Sequence, residues 1–502
     1  MPARTQRPAR GGLTAVAVAT LACGPDVRPA ADHDRVCGQE GPVQILALDG
    51  DRPVRSAQQA ARTDDRRVIR VQFGDPAAEL DEVVDDDTEV WSVGSCGESP
   101  IRLGEGHLGF VAFPETWPDQ LLACDRDSGD VQALDAEGVR APNLLFRLQD
   151  CRGFQTPHGI VTLAPTASGE GDLVLYPWPE DVWAQPPAPR VLVQSVRLHA
   201  DPPHVVPNIY QVAYAAADVA FAITATDDLV SVELPDGQVT TEATGVRELA
   251  ASPTGAFVGW RSNAPIGSDP HWPGGSVFVR ERATGRTEHR TDESFVTITH
   301  ALQDAELGVI RLQLGGVQSD PERFWHWPSM QTYDLPVGQH VLSRIAGGHY
   351  LVSDVFSGGS LWVLDLDTGE LRVLHDGGGC YRHVAGEEGA LDVLDVPCGD
   401  WDNLYRHEGE LSRVFLDGQP RRLAPRATWG YRELSEGTIV TRLDVNEDDL
   451  GRLVAVDPDR HDEHTIDDDV GGQGVVVDPD DTIVYPVIDG DRTGVWITRL
   501  AP

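Results

Sequence analysis

Apolar and polar residues alternate in short runs along most of the chain, and glycine, proline or aspartate interrupts the runs at close intervals. The stretch from Gly359 to Leu374 shows the plan most clearly. Two short strands, with β-branched and large apolar residues at alternate places, flank the tight turn Leu366-Asp367-Thr368-Gly369, whose glycine is free to take positive φ. The same plan recurs from Asp228 to Gly237, Gly275 to Gly285, Leu121 to Gly129 and Gly451 to Asp459. A second shape, strand, Ser252-Pro253-Thr254-Gly255 turn and strand, runs from Leu249 to Trp260 and returns from Val475 to Tyr485. No long helical period appears between Val43 and the Cys151 loop. The pattern predicts an array of one β unit.

The turn glycines set the period. Gly129 to Gly237 is 108 residues, Gly237 to Gly285 is 48 and Gly285 to Gly369 is 84. With two units in each long gap, the unit is about 42 to 54 residues, the range of a four-stranded propeller blade. From Val43 to Pro502 there are 460 residues, and a unit of about 47 gives nearly ten, but long loops such as Pro179 to Pro189 inflate that figure. The expectation is an all-β chain with a single β-propeller of about eight four-stranded blades, in the range 7 to 10, over residues 42–502. Two smaller β domains are the alternative. Pairing of Val43 to Leu48 with the final strand, Gly494 to Leu500, would close the ring and remove an exposed edge.

Ser252-Pro253-Thr254-Gly255 before an apolar strand, and Leu361-Trp362-Val363-Leu364-Asp365-Leu366-Asp367-Thr368-Gly369-Glu370 as a closing hairpin, resemble the blade motifs of TolB-like and related periplasmic β-propellers. The resemblance extends in weaker form over most of Val43 to Pro502. It implies a propeller outside the cytoplasm and leaves the activity open, because this fold hosts enzymes, binding proteins and scaffolds alike. The Gly-His and Trp-Asp signature of WD40 repeats does not recur along the chain, Trp-Asp occurring once, at Trp401-Asp402.

The amino terminus reads as an address. Arg4, Arg7 and Arg10 precede the apolar stretch from Gly11 to Ala22, which is too short to remain in a bilayer as a span. Thr20-Leu21-Ala22-Cys23 resembles the lipobox of bacterial lipoproteins, although Thr20 stands where that family usually has leucine. The resemblance implies a signal peptide over 1–22, a diacylglycerol on the Cys23 thiol, and a flexible tether over 23–41. It also implies a lipid-anchored location in the bacterial cell envelope, at the outer membrane or its periplasmic face. Cleavage after Ala19, leaving Cys23 free, is the other reading. With Cys23 lipidated, six of the seven cysteines remain: Cys37, Cys96, Cys124, Cys151, Cys380 and Cys398. Six allow fifteen pairings. Sequence proximity favours Cys380 with Cys398 and Cys124 with Cys151, which leaves Cys37 with Cys96.

Charge narrows the partners. A formal charge of -40 repels phosphate backbones and anionic headgroups, so a nucleic-acid function is disfavoured and membrane contact is expected through the lipid alone. All 40 basic residues are arginine, which rules out a Schiff-base or Walker lysine. No Gly-x-Ser-x-Gly, His-Glu-x-x-His or CxxCH occurs. The Gly-x-Gly-x-x-Gly match at Gly104 precedes a strand, where a dinucleotide fold needs a helix.

Three features remain as candidate chemistry. Asp444, Asn446 and Asp448 copy the first oxygen ligands of a calcium loop, but Asp449 replaces the turn glycine and Ala455 the final glutamate. His461 and His464 with Asp467, Asp468 and Asp469 read as a solvated hairpin with ligand-type side chains. Trp117, Trp178, Trp272 and Trp327, each followed by proline, together with Trp325, offer flat faces for stacking on sugar or peptide; the plainer reading wedges them between blades. The function expected is a monomeric, non-catalytic scaffold without a cofactor that binds an envelope protein or polymer. The alternative is a glycan hydrolase or lyase working through channel-face carboxylates.

Overall fold

The computed structural model describes residues 34–501 with interruptions, the longest at 75–87, 112–120, 135–143, 199–211, 263–275, 301–308, 315–322 and 397–405. The chain is all-β and arranged as a β-propeller. Among the described residues the helical content is one 3-10 turn, Gly490–Arg492, and no helix is long and apolar enough to cross a membrane. Eight sheets are four-stranded antiparallel meanders, each built from consecutive strands. They cover residues 54–105, 108–147, 154–196, 213–243, 246–291, 296–334, 340–375 and 380–427, and are numbered first to eighth below.

The ninth, closing sheet has seven strands in one path and an eighth, Val476–Val477, paired to its side. Within it the strands of 432–471 and those of 476–498 touch through a single residue pair, Val470 with Val487, so two meanders meet there end to end. The sheets therefore do not add up to the eight-blade ring expected from the sequence. That expectation set aside part of the length as loops lying outside the repeat. The stretch 179–189 instead connects two neighbouring strands of the third sheet, Gly171–Pro177 and Arg190–Val196, and so belongs to the unit.

Repeated turn chemistry explains why one unit follows another. Between third and fourth strands, the amides of Gly237, Gly285, Gly369 and His461 donate to the carbonyls of Glu233, Glu281, Asp365 and Asp457 at 2.7, 2.9, 2.8 and 2.7 Å. The donors sit at φ of 72°, 70°, 72° and 60°, where glycine carries no Cβ penalty and histidine does. A shorter turn joins first and second strands: Gly255 donates to Ser252 and Asp481 to Asp478. Side chains reinforce both kinds, since Asp365 Oδ1 accepts from the Asp367 amide and Ser252 Oγ from the Phe257 amide.

Central strands are buried on both faces: Val219–Ile223 is continuously apolar, and Ile439–Leu443 is buried throughout although it carries Thr441 and Arg442. Outer strands such as Val239–Ala243 are exposed. Successive sheets share apolar clusters: Val161 and Leu173 pack with Ala213 and Val232, Phe221 with Leu249, Phe324 with Tyr350, and Leu351 with Leu391. Each fully buried aliphatic side chain contributes about 1.5–3 kcal/mol.

The two ends of the described chain meet at one seam. Val43–Ala47 forms the outer strand of the closing sheet, with Val43 opposite Ile497 and Gln44 opposite Trp496, the end pairing that the sequence suggested. Val43 and Ile45 share a cluster with Ile69 and Val71 of the first sheet and with Val484 and Ile497 of the closing sheet. Backbones approach closely here. A Cβ on Gly474 would stand 1.9 Å from the Ala57 carbonyl oxygen, and one on Gly97 2.9 Å from the Ile45 Cα. The last residues of the expected tether also fold onto this seam. Arg35–Val36 and Gln39–Glu40 form a hairpin in which Val36 is buried, the Asp34 amide donates to the Arg499 carbonyl, and Cys37 bonds to Cys96. Cys124 and Cys380 are also disulfide-bonded; Cys151 and Cys398 lie outside the described residues.

One stability change follows from the turns. His461→Gly relieves the one left-handed non-glycine residue among the four equivalent turns compared above, and raises unfolding stability by about 0.5–1 kcal/mol. Denaturant melts check this, and a loss of stability contradicts the turn assignment.

Candidate functional site

Charged side chains buried within or beside the sheets mark the places where chemistry is concentrated. Asp392 lies in Ala390–Leu394 and Arg413 in the neighbouring strand Gly409–Phe415, and their side chains are 3% and 4% exposed. The guanidinium grips both carboxylate oxygens, Nε to Oδ1 at 2.8 Å and Nη2 to Oδ2 at 3.1 Å. Tyr431 donates to Oδ2 at 2.9 Å, and Arg413 Nη2 also donates to Glu433 at 2.7 Å across the sheet boundary. Although burial opposes the charge on Arg413, Asp392 and Glu433 outweigh it and raise its pKa above the usual range.

A second group surrounds Asp467. Arg492 Nη2 reaches its two oxygens at 2.6 and 2.7 Å and Tyr485 donates at 2.9 Å. Burial, and then the Asp467 charge, push the Tyr485 phenol up. A third group spans the seam. Asp478 accepts from Gln59 at 2.9 Å and from both Arg67 and Arg62 of the first sheet, while Asp480 accepts from Arg62 at 3.2 Å and Arg499 at 2.8 Å. Burial opposes it, but the Arg62 contact holds the Asp480 carboxyl down at about 2.

In all three groups the carboxylate oxygens already accept from arginine, tyrosine or glutamine, which occupies the lone pairs that a reacting substrate would need. The other carboxyls with a resolved shift, Asp365, Asp444 and Asp457, are also lowered. A glycosidase general acid requires the opposite direction.

The structure places the sequence-derived candidates as follows. Both Asp444 oxygens are taken, by Arg426 at 2.6 Å and Arg452 at 2.7 Å, which hold its carboxyl below the usual range. Asn446 Oδ1 accepts from the amides of Asp448 and Leu450, and the Asp449 amide closes on the Asn446 carbonyl. This is the same turn that Thr224 and Asp227 make in the fourth sheet. The resemblance of Asp444, Asn446 and Asp448 to a calcium loop is thus a turn signature. Among the described residues no cluster of three or more His, Cys, Asp or Glu is placed to hold a metal.

Trp325 and Trp327 are 0% and 1% exposed and wedge against Val277, Val279 and Ala250 of the fifth sheet, so they present no face to a ligand. Trp178 packs edge-on against Phe146 at 5.6 Å and donates to the Thr156 carbonyl at 2.9 Å. Trp117, Trp272 and Cys23 lie outside the described residues. Sequence reading missed Asp392, Arg413 and Glu433. Asp392 alone carried a signal, a charge in the middle of the apolar run Ala390-Leu391-Asp392-Val393-Leu394; Arg413 after Ser412 and Glu433 after Arg432 had none of that kind.

No family model matches the chain, and no curated protein matches it. Among solved structures, the tricorn protease is 13% identical with a TM-score of 0.30, over 82% of this chain and 43% of that one. An oligogalacturonate lyase in complex with manganese is 10% identical with a TM-score of 0.27, over 95% and 97% of the two chains. The computationally designed Ika8 protein is 9% identical with a TM-score of 0.31, over 91% and 100%.

Two measurements test the reading of these buried groups. Asp392→Leu leaves Arg413 buried against Glu433 alone and costs about 3–5 kcal/mol, whereas Asp392→Leu with Arg413→Met costs clearly less. Equal losses in the single and double variants contradict a structural pair. His326 is 8% exposed, its Nε2 has no hydrogen-bond partner, and burial pushes its imidazole down to about 4. The unfolded chain takes up the proton first. The neutral form therefore contributes stability that is present above about pH 6.5 and lost as pH falls toward 4, about 3 kcal/mol in all. Melts of His326→Asn across this window are flatter than wild type, and parallel curves refute the assignment.

Proposed function

We propose that the protein is an exported lipoprotein whose propeller, similar in its blade motifs to TolB-like periplasmic propellers, is a non-catalytic binding scaffold for an envelope protein or polymer, held by lipid on Cys23 as the resemblance of Thr20-Leu21-Ala22-Cys23 to a lipobox suggests. One observation supports the scaffold reading above the glycan-enzyme reading. The buried carboxylates Asp392, Asp467 and Asp478 are each gripped by arginine, which makes them part of the frame. The acidic surface, at -40 overall, favours a partner with basic groups and steers it at low salt.

Affinity capture of the full chain from its own membranes, at low and at high salt, is the test of binding. The reading expects a discrete partner whose recovery falls with salt. Recovery of none, together with turnover on a panel of glycans, rejects it. The anchor is tested separately: Cys23→Ser moves the protein from the membrane fraction to the soluble fraction, and retention at the membrane overturns the lipid assignment.

A further inference from the structure

The closing strand Val43–Ala47 is the outermost strand of its sheet, with one ladder neighbour, Gly494–Thr498, and an irregular register between Gln44 and Leu46. Its downstream end continues into the first sheet at Val54. Its upstream end is fixed differently. Cys37, at the tip of the small hairpin before the strand, is joined to Cys96, in the turn that follows Thr88–Gly94 of the first sheet. The bond closes a loop of 59 residues and crosses the seam, so that it ties both ends of the closing strand to the sheet beyond it. Gly97, next to Cys96, lies directly on the backbone of that strand.

The two cysteines just described differ from the other bonded ones in access. Cys37 and Cys96 are half-buried at the surface of the seam. Cys124 and Cys380, also disulfide-bonded, are 0% and 3% exposed. Thiol–disulfide exchange needs a thiolate to reach a sulfur, so access orders the reactions.

We infer that Cys37–Cys96 is a redox latch on the ring seam, which a dithiol reductant opens before the other disulfides, so that Val43–Ala47 opens as an independent element. A thiolate of the dithiol attacks one sulfur and releases the other as a thiolate. The second thiol of the reductant then displaces the mixed disulfide. The protein gains two electrons and two protons as Cys37 and Cys96 thiols, and the reductant leaves as its own disulfide. With the latch open, the strand is held by backbone pairing and its apolar contacts, and its departure bares the edge of Gly494–Thr498 for another strand.

The test treats the folded, oxidised chain with graded dithiothreitol, traps thiols by alkylation and maps them by mass spectrometry, with amide exchange followed in parallel. Cys37 and Cys96 are expected to be labelled first. Exchange in Val43–Ala47 and Gly494–Thr498 is then expected to rise at least tenfold, while Val219–Ile223 in the fourth sheet is unchanged. Labelling of Cys124 or Cys380 first overturns the proposal. So does unchanged seam exchange after Cys37 and Cys96 are reduced, or an equal rise in every sheet. The Cys37→Ser/Cys96→Ser variant is expected to show the same local rise without reductant. Should that variant not fold, the graded reduction of the wild type decides alone.

Discussion

Closure of the ring at the meeting of the chain's two ends is the constraint on which the remaining architecture rests. A stack of meander sheets buries both faces of each sheet only if every sheet has a neighbour, and a linear stack would leave two faces bare. Here the amino-terminal strand is built into the carboxy-terminal sheet, and the first sheet packs against that composite through Ile69, Val71, Val484 and Ile497. The covalent chain, the backbone ladder, the apolar cluster, the Arg67, Arg62 and Asp478 contacts and the Cys37–Cys96 bond all act across this one boundary. Backbone contact at Gly97 and Gly474 leaves no room there for a side chain.

The buried ion pairs belong to the same logic. A guanidinium in a central strand meets a desolvation cost that is offset only when its donors all find acceptors. Arg413 does so by bridging two sheets, from Asp392 in its own to Glu433 in the next. Such pairs add little net stability, but they penalise any packing of the sheets that separates the partners, and so specify how neighbours sit. Arg67 and Asp478 do this at the seam.

Much of the fold was legible because its cause is local. Alternation along Gly359 to Leu374 and the glycine at position 369 are read within one hairpin, and the turn chemistry at Ser252 repeats at Asp478. The Cys37–Cys96 bond followed from nearness in sequence of the other cysteines. The sheet tally was not legible, because interior loops such as 179–189 cannot be told by length from connections between units. The candidate sites were ambiguous in sequence for a related reason. Asp and Asn favour both metal loops and left-handed turn positions, and Asn446 with Asp449 is the second kind. Trp325 and Trp327 carry the same residue type whether they face a ligand or a neighbouring sheet, and only the register of Arg323–His326 against its neighbours decides. Asp392 and Glu433, 41 residues apart in sequence, meet through Arg413 only once two sheets are stacked.

The distance between the chain's two ends tests the account most directly. Spin labels at the exposed positions Arg35 and Ala501, measured in the oxidised protein, are predicted to give one short, narrow distribution, because these positions flank paired strands of a single sheet. A long or broad distribution, with these positions lying apart in the folded protein, would contradict a ring closed by Val43–Ala47.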